Sequence, residues 1–333
     1  MKRATIEDVA KAAGVSRQTV SRAINDKGEI SPETKQRVLE VVRQLGYRPN
    51  RLAQGMVTQR TKTVGLVMPD ISNLFFPEVA RGVQDAGREY DYNVLVCNTD
   101  DDPREEMNTL YSLMGQWVDG IVMISSSADI TELQAFCDTF GPVVILNRDV
   151  KHTHVSSIMV ENVRGGFLAT EHLINLGRNR IGMLVSKAYK NSRIRRVQGY
   201  REALQEYGIG MNDQLIVGSE PTLQGGYEAM RKLLDRDEQI SAVFAYNDLM
   251  GLGAIRACRD LGKNVPADIA IIGFDDIALA AMTTPSLSSI RVDKYAIGQK
   301  AMVRLLEMLA HPETTFDKIY IDVELVSRES TVG

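Results

Sequence analysis

One short stretch carries Ser16, Arg17, Gln18, Thr19, Ser21, Arg22 and Asn25, rich in hydrogen-bond donors and nearly free of acid. Val20, Ala23 and Ile24 recur among them at helical spacing, so the polar side chains share the outer face of one amphipathic helix. Such a face suits a polyanion that presents acceptors. In a DNA major groove Arg matches guanine O6 and N7, Gln matches adenine N6 and N7, and Ser and Thr suit phosphates. The first residues of a recognition helix reach base edges. Arg17 and Gln18 are therefore expected at the bases, and Arg22 at a base or a phosphate.

The surrounding elements position that helix. Thr5 precedes Ile6, Val9, Ala10 and Ala13, the spacing of a short helix with its N-cap at Thr5 and Asp8 in its first turn. Gly14 stops it, and Ser16 caps the next helix after only Gly14-Val15, so the two must cross steeply: a helix-turn-helix. Ser31-Pro32 opens a third helix with an inner stripe of Val38, Val41, Val42 and Leu45, and Gly46 ends it.

Charge divides the chain in the same place. The 333 residues hold 39 Lys+Arg against 43 Asp+Glu, a net charge of −4. The first sixty hold 12 basic and 6 acidic residues, leaving 27 and 37 for the remainder. A small basic head on a large acidic body implies that the head meets a polyanion and the body does not.

Beyond residue 63, apolar runs at 64–68, 94–97, 120–124, 143–146, 181–185, 242–245 and 269–273 alternate with amphipathic stretches. Alternating βαβ units predict parallel sheets with right-handed crossovers. The series runs twice, with a break near 156–162, which predicts two doubly wound lobes. A ligand would lie at the C-terminal strand ends, in the cleft between them. Residues 318–327 read as one further extended strand, with Ile319, Ile321, Val323 and Leu325 alternating.

Several function classes are excluded as expectations. There is no G-x-G-x-x-G after a strand, no G-x-x-x-x-G-K-[ST] and no G-x-S-x-G, so no catalytic residues and no cofactor are expected. Asp100-Asp101-Asp102 and Asp275-Asp276 read as turn residues and helix caps. Cys97, Cys137 and Cys258 are odd in number and far apart, which argues against a disulfide framework and a cysteine zinc site. His152 and His154 read as a polar loop, so no metal is expected. The basic start lacks the apolar run of a signal peptide and no apolar run reaches about 18 residues, so a cytoplasmic, nucleoid-associated protein without membrane contact is expected.

The stretches "TIEDVAKAAGVSRQTVSRAIN" and "LGYRPNRLAQGM" resemble the head of the lac repressor (LacI/GalR) family of transcription regulators. The likeness continues through "RIGMLVS", "RRVQGYREAL", "AYNDLMGLGAI" and "IIGFDDIALA". It implies a helix-turn-helix domain at 1–49, a hinge helix and linker at 50–62, and an α/β periplasmic-binding-protein-like core at 63–333. In that core one lobe would comprise about 63–161 plus 292–320, and the other about 162–291 plus 321–333. It also implies a homodimer on a pseudo-palindromic operator, a repressor by family default, and a small carbohydrate-type effector (a sugar, sugar acid or sugar phosphate), the alternatives being a nucleobase or partner-protein corepressor, or a solute-binding protein without a regulatory role. Thr5, Tyr47, Asn50, Ala53 and Met56 would join the helix residues at the DNA, with Met56 as a minor-groove wedge where Leu is usual. Gly55 makes so short a hinge helix marginal by itself. The lack of a terminal Leu heptad favours a dimer over a tetramer.

The same resemblance assigns cleft residues. Asn73, Phe75 and Phe76 look like the sugar-gripping start of ribose-type binding proteins, one Phe facing ligand and the other in the core. Arg148, Arg196, Asn247 and Asp275 form the implied polar clamp, with Asn147, Lys190 and Ser192 beside it. Asn147 stands where close sugar binders often have Asp. Arg148, Arg196 and Lys190 against Asp275 would leave surplus cation in a closed cleft, which favours an anionic ligand.

Overall fold

The computed structural model describes residues 4–24, 30–47 and 60–332. The chain forms two compact units, one ending at Thr61 and one beginning at Lys62.

The head has three helices, α1 (Ile6–Ala13), α2 (Arg17–Ile24) and α3 (Pro32–Gln44). Thr5 and Asp8 form a reciprocal capping box: the Thr5 N–H donates to the Asp8 carboxylate at 2.8 Å, and Thr5 Oγ1 accepts from the Asp8 N–H at 3.3 Å. Gly14 closes α1 at φ 64°, a left-handed cap that costs glycine no Cβ clash. Ser16 Oγ accepts from the Thr19 N–H at 3.1 Å and so caps α2. Val9, Ala10, Ala13, Val20, Ala23 and Val38 make the head core. Leu45, expected on the inner stripe of α3, is 42% exposed because that helix has already ended at Gln44.

The second unit contains β1 (Thr63–Met68), α4 (Phe75–Glu89), β2 (Asn93–Asn98), α5 (Pro103–Gly115), β3 (Gly120–Ile124), α6 (Ile130–Thr139), β4 (Val143–Leu146) and β5 (Val155–Val160). Next come α7 (Asn162–Asn175), β6 (Ile181–Ser186), α8 (Lys190–Glu206), β7 (Ile216–Ser219), α9 (Leu223–Arg236), β8 (Ala242–Ala245), α10 (Asp248–Asp260) and β9 (Ala270–Asp275). It ends with β10 (Ser288–Val292), α11 (Lys294–Ala310), β11 (Ile319–Ile321), β12 (Val323–Val326) and α12 (Glu329–Val332). Two six-stranded sheets result, in the orders β11-β5-β4-β3-β1-β2 and β12-β10-β9-β8-β6-β7. The strand pairs are parallel except β10 with β12. The chain passes between the sheets after β5, after β10 and between β11 and β12.

Three features differ from the expectation. β5, β7 and β10 are additional strands. Ser156-Ser157, Gly218-Ser219 and Ser288-Ser289 interrupt the apolar runs that would have marked them, yet these residues are mostly buried, their backbones satisfied by the ladders. The expected break near 156–162 thus begins inside a strand of the first sheet. The single strand expected at 318–327 is two strands in different sheets, divided at Asp322, because Ile319–Ile321 pair with β5 and Val323–Val326 with β10.

Three helix pairs over the sheets cross where glycines face each other. A Cβ on Gly82 of α4 would lie 2.2 Å from the Tyr295 carbonyl oxygen, and one on Gly298 of α11 would lie 2.1 Å from that of Val79. Gly166 with Gly199, and Gly226 with Gly253, repeat the arrangement between α7 and α8 and between α9 and α10. One apolar cluster continues through both lobes, from Leu66, Phe76 and Leu146 to Ile181, Phe244 and Ile290. Each such fully buried side chain contributes about 1.5–3 kcal/mol relative to exposure.

Candidate functional site

In the head, Val20 and Ala23 face inward, leaving Arg17, Gln18 and Arg22 exposed on one side of α2. Thr19 and Ser21 are half-buried, and the Ser16 and Thr19 hydroxyls bond each other at 2.9 Å. Arg17 Nε lies 3.6 Å from Glu7 Oε2 on α1. Thr5 is exposed at the capping box, and Tyr47 packs partly on the head core. Asn25, Asn50, Ala53 and Met56 lie outside the described residues, as does most of the expected hinge. The face is thus an exposed row of cationic and amide donors on a capped, packed helix, suited to a major groove.

In the second unit the C-terminal strand ends carry unusual backbone. Asp100, Asp101, Ser125, Asn147, Tyr189, Asp275 and Asp276 all have positive φ, seven of the ten such non-glycine residues described. Left-handed conformations of this kind persist where the surroundings hold them and gather at ligand sites.

A buried network spans these ends. Arg196 of α8 is 5% exposed. Its Nε donates to Asn162 Oδ1 at 2.9 Å, its Nη2 to Asp275 Oδ1 at 3.1 Å and its Nη1 to the Tyr246 carbonyl. The guanidinium carbon lies 3.5 Å from the Phe274 ring centre and 4.5 Å from that of Tyr246. Asn162 Nδ2 donates to Asn147 Oδ1 at 3.3 Å, and that oxygen also accepts from the Val160 N–H at 3.1 Å. Lys294 Nζ donates to the Asp275 carbonyl at 2.7 Å. Burial pushes the Asp275 carboxyl above its ordinary value, while Arg196 and Lys294 pull it back. Behind it, Asp248 accepts from the Ser289 hydroxyl at 2.6 Å and the Ile277 N–H at 2.7 Å, which fixes the turn through Asp275 and Asp276.

Aromatic rings line the same region. Tyr189 and Tyr246 stack at 6.4 Å between ring centres, and Phe76 meets Tyr189 edge-on at 5.9 Å. Ser192 Oγ bonds the Tyr246 hydroxyl at 2.8 Å. Tyr189, from the second lobe, therefore touches Phe76, from the first. Asp101 lies near Tyr189 as well: burial raises its carboxyl to about 6, the Tyr189 backbone N–H opposes that, and Glu106 and Glu220 add to it.

Arg196, Asp275, Asn147 and Ser192 thus meet in one region, joined by Asn162, Tyr189, Tyr246, Asp101 and Lys294. Asn247, Arg148 and Lys190 take other partners or face solvent. Asn247 caps α10 through the Met250 N–H at 2.9 Å and donates to the Pro221 carbonyl at 3.2 Å. Arg148 donates to Ser126 Oγ at 3.0 Å and the Ala128 carbonyl at 2.6 Å. Lys190 is exposed. Asn73 does reach the cluster: it is buried, its Oδ1 accepts from the Phe75 N–H at 3.1 Å, and its side chain hydrogen-bonds the Tyr189 hydroxyl.

Two expectations are corrected. Phe75 and Phe76 are both buried core residues, joining the apolar cluster of Leu66, Met68 and Val122; Phe76 reaches Tyr189 from within that core. The expected surplus of cation reduces to Lys190, which is exposed. Asp275 pairs with Arg196; Glu106 and Asp129 hold up the Arg148 pKa that burial lowers; and Lys294 lies 3.6 Å from Glu78. Asn162 and Tyr189 carried a weak signal, each standing beside the start of a helix after a strand; Asn162 follows a strand that serines disguised.

Among the described residues no group of three or more His, Cys, Asp or Glu is placed to hold a metal, and no helix is long and apolar enough to cross a membrane. His152 is anchored by Asp138 at 3.0 Å.

Comparison with known proteins follows the same division. Residues 5–50 match the model of bacterial regulatory proteins of the lacI family, and residues 170–331 match a periplasmic binding protein-like domain. Catabolite control protein A of Priestia megaterium is 37% identical over 95% of this chain and 95% of its own. The lac repressor dimer bound to operator and the anti-inducer ONPF superposes with a TM-score of 0.89 at 26% identity, covering all of both chains. The transcriptional regulator CelR in complex with cellobiose gives a TM-score of 0.76 at 33% identity, covering 98% of this chain and 100% of that one. An exposed donor face on a capped helix-turn-helix, a pair of doubly wound lobes and these likenesses along the whole length agree: the chain belongs to the lac repressor family of bacterial transcription regulators.

Proposed function

We propose that this regulator is a repressor that binds a pseudo-palindromic operator as a homodimer, and that a small neutral carbohydrate in the inter-lobe cleft sets its operator affinity. Arg17, Gln18 and Arg22 read or grip the DNA, with Met56 wedging the minor groove by family resemblance. Two-fold protein symmetry matches two half-sites. The lac repressor dimer on its operator and the regulator bound to cellobiose support the partners.

One observation carries the choice of a neutral ligand: Arg196, Arg148 and Lys294 each already face carboxylates of this chain. An anionic ligand would have to displace Asp275 from Arg196 or sit beside Asp101, Glu106 and Glu220 without a free counter-charge, at a cost in desolvation. A polyhydroxy ring needs only hydrogen-bonding groups and aromatic faces, which Tyr189 and Tyr246 supply.

A thermal-shift panel of neutral sugars, sugar acids, sugar phosphates and nucleobases tests this. Neutral sugars should raise the melting temperature and acids should not. A phosphate or acid hit would reverse the assignment. Operator binding at fixed salt then reads whether the hit releases or tightens the complex.

A further inference from the structure

We propose that Glu7 is a specificity-determining residue of the DNA-reading face, one that commits Arg17 to a guanine edge rather than a phosphate; this rests on α2 being the helix that reads DNA. Glu7 stands in the first turn of α1 and Arg17 is the first residue of α2. Their side chains approach to 3.6 Å between Oε2 and Nε, while remaining 51% and 69% exposed. An ion pair so open to water contributes little to stability, so its effect lies in what the head presents. The neighbouring acid, Asp8, is occupied by the capping box with Thr5. Glu7 has no part in that cap.

The geometry has two consequences. The carboxylate faces the Nε side of Arg17, which leaves the Nη1–Nη2 edge to donate in a fork. That fork fits guanine O6 and N7, and a carboxylate beside it accepts from cytosine N4, so the pair together matches one G·C base pair. The negative charge also disfavours a phosphate at the same place. A lone Arg17 would bind backbone and base alike. With Glu7 it gains discrimination and loses non-specific attraction.

The test uses the full-length protein and random-duplex selection, followed by affinities at one salt concentration. Wild type should select guanine at one position of each half-site. Arg17→Ala should lose that preference. Glu7→Gln, which keeps the side chain's size and should leave the melting temperature unchanged, should lower the guanine preference at that position about tenfold while binding to unrelated duplex rises. Equal change of affinity for every sequence would overturn the proposal and make Glu7 a simple repulsive charge. If wild type selects no sequence, the assignment of α2 as the reading helix fails, and the proposal with it.

Discussion

Arg196 Nε donates to Asn162 Oδ1 at 2.9 Å, which ties the first residue of α7 to the buried face of α8. Asn162 in turn bonds Asn147 at the end of β4, while Arg196 bonds Asp275 at the end of β9. One line of side chains therefore runs from the first sheet to the second, beside the point where the chain crosses between them. Lobe movement on ligand binding would have to keep or break this line as a unit.

Arg196→Ala would leave Asp275 buried with only Lys294 to offset its charge. Breaking a buried pair from one side costs about 3–5 kcal/mol. Urea unfolding should show a loss of that size, and adding Asp275→Asn should restore part of it. A loss under about 1 kcal/mol, the range of exposed pairs, would mean that water reaches the network.

Asp101 supplies a pH dependence. Its carboxyl sits near 6 in the folded chain against an ordinary 3.8. The folded state therefore holds this proton to higher pH than the unfolded one. The associated stability is complete below 3.8 and is lost as pH rises through about 6. The melting temperature of Asp101→Asn, compared with wild type, should gain most above pH 6 and least near pH 4. Parallel curves for the two proteins would place Asp101 in solvent.

Gly82→Ala should force α4 and α11 apart, since the new Cβ would lie 2.2 Å from a backbone oxygen that cannot rotate away. Overpacking of this kind costs about 1–3 kcal/mol. Gly115→Ala is the control: a Cβ there meets nothing within 4 Å, so that variant should be neutral or slightly more stable in thermal melts.

Thr5→Ala removes half of the capping box of α1. A cap of this type is worth about 1 kcal/mol, so amide exchange in residues 6–13 should quicken about fivefold, with the core at 63–332 unaffected. Unchanged exchange would mean that Asp8 holds the turn alone.

Much of the molecule was determined locally and was therefore legible in the sequence. Thr5, Gly14, Ser16 and Pro32 act on backbone groups within four residues of themselves, so type and spacing alone set the three head helices and the exposed row at Arg17, Gln18 and Arg22. The βαβ alternation likewise set two doubly wound lobes. The tertiary structure decided what depends on distant partners. Val155–Val160 and Ser288–Val292 are strands because neighbouring ladders satisfy backbones that their serines would not mark as buried. Asp322 divides two sheets because the residues on either side find different partner strands. The charge of the cleft was decided in the same way. Asp275 was legible opposite Arg196, but only the folded chain brings Glu106 and Asp129 near Arg148 and Glu78 near Lys294.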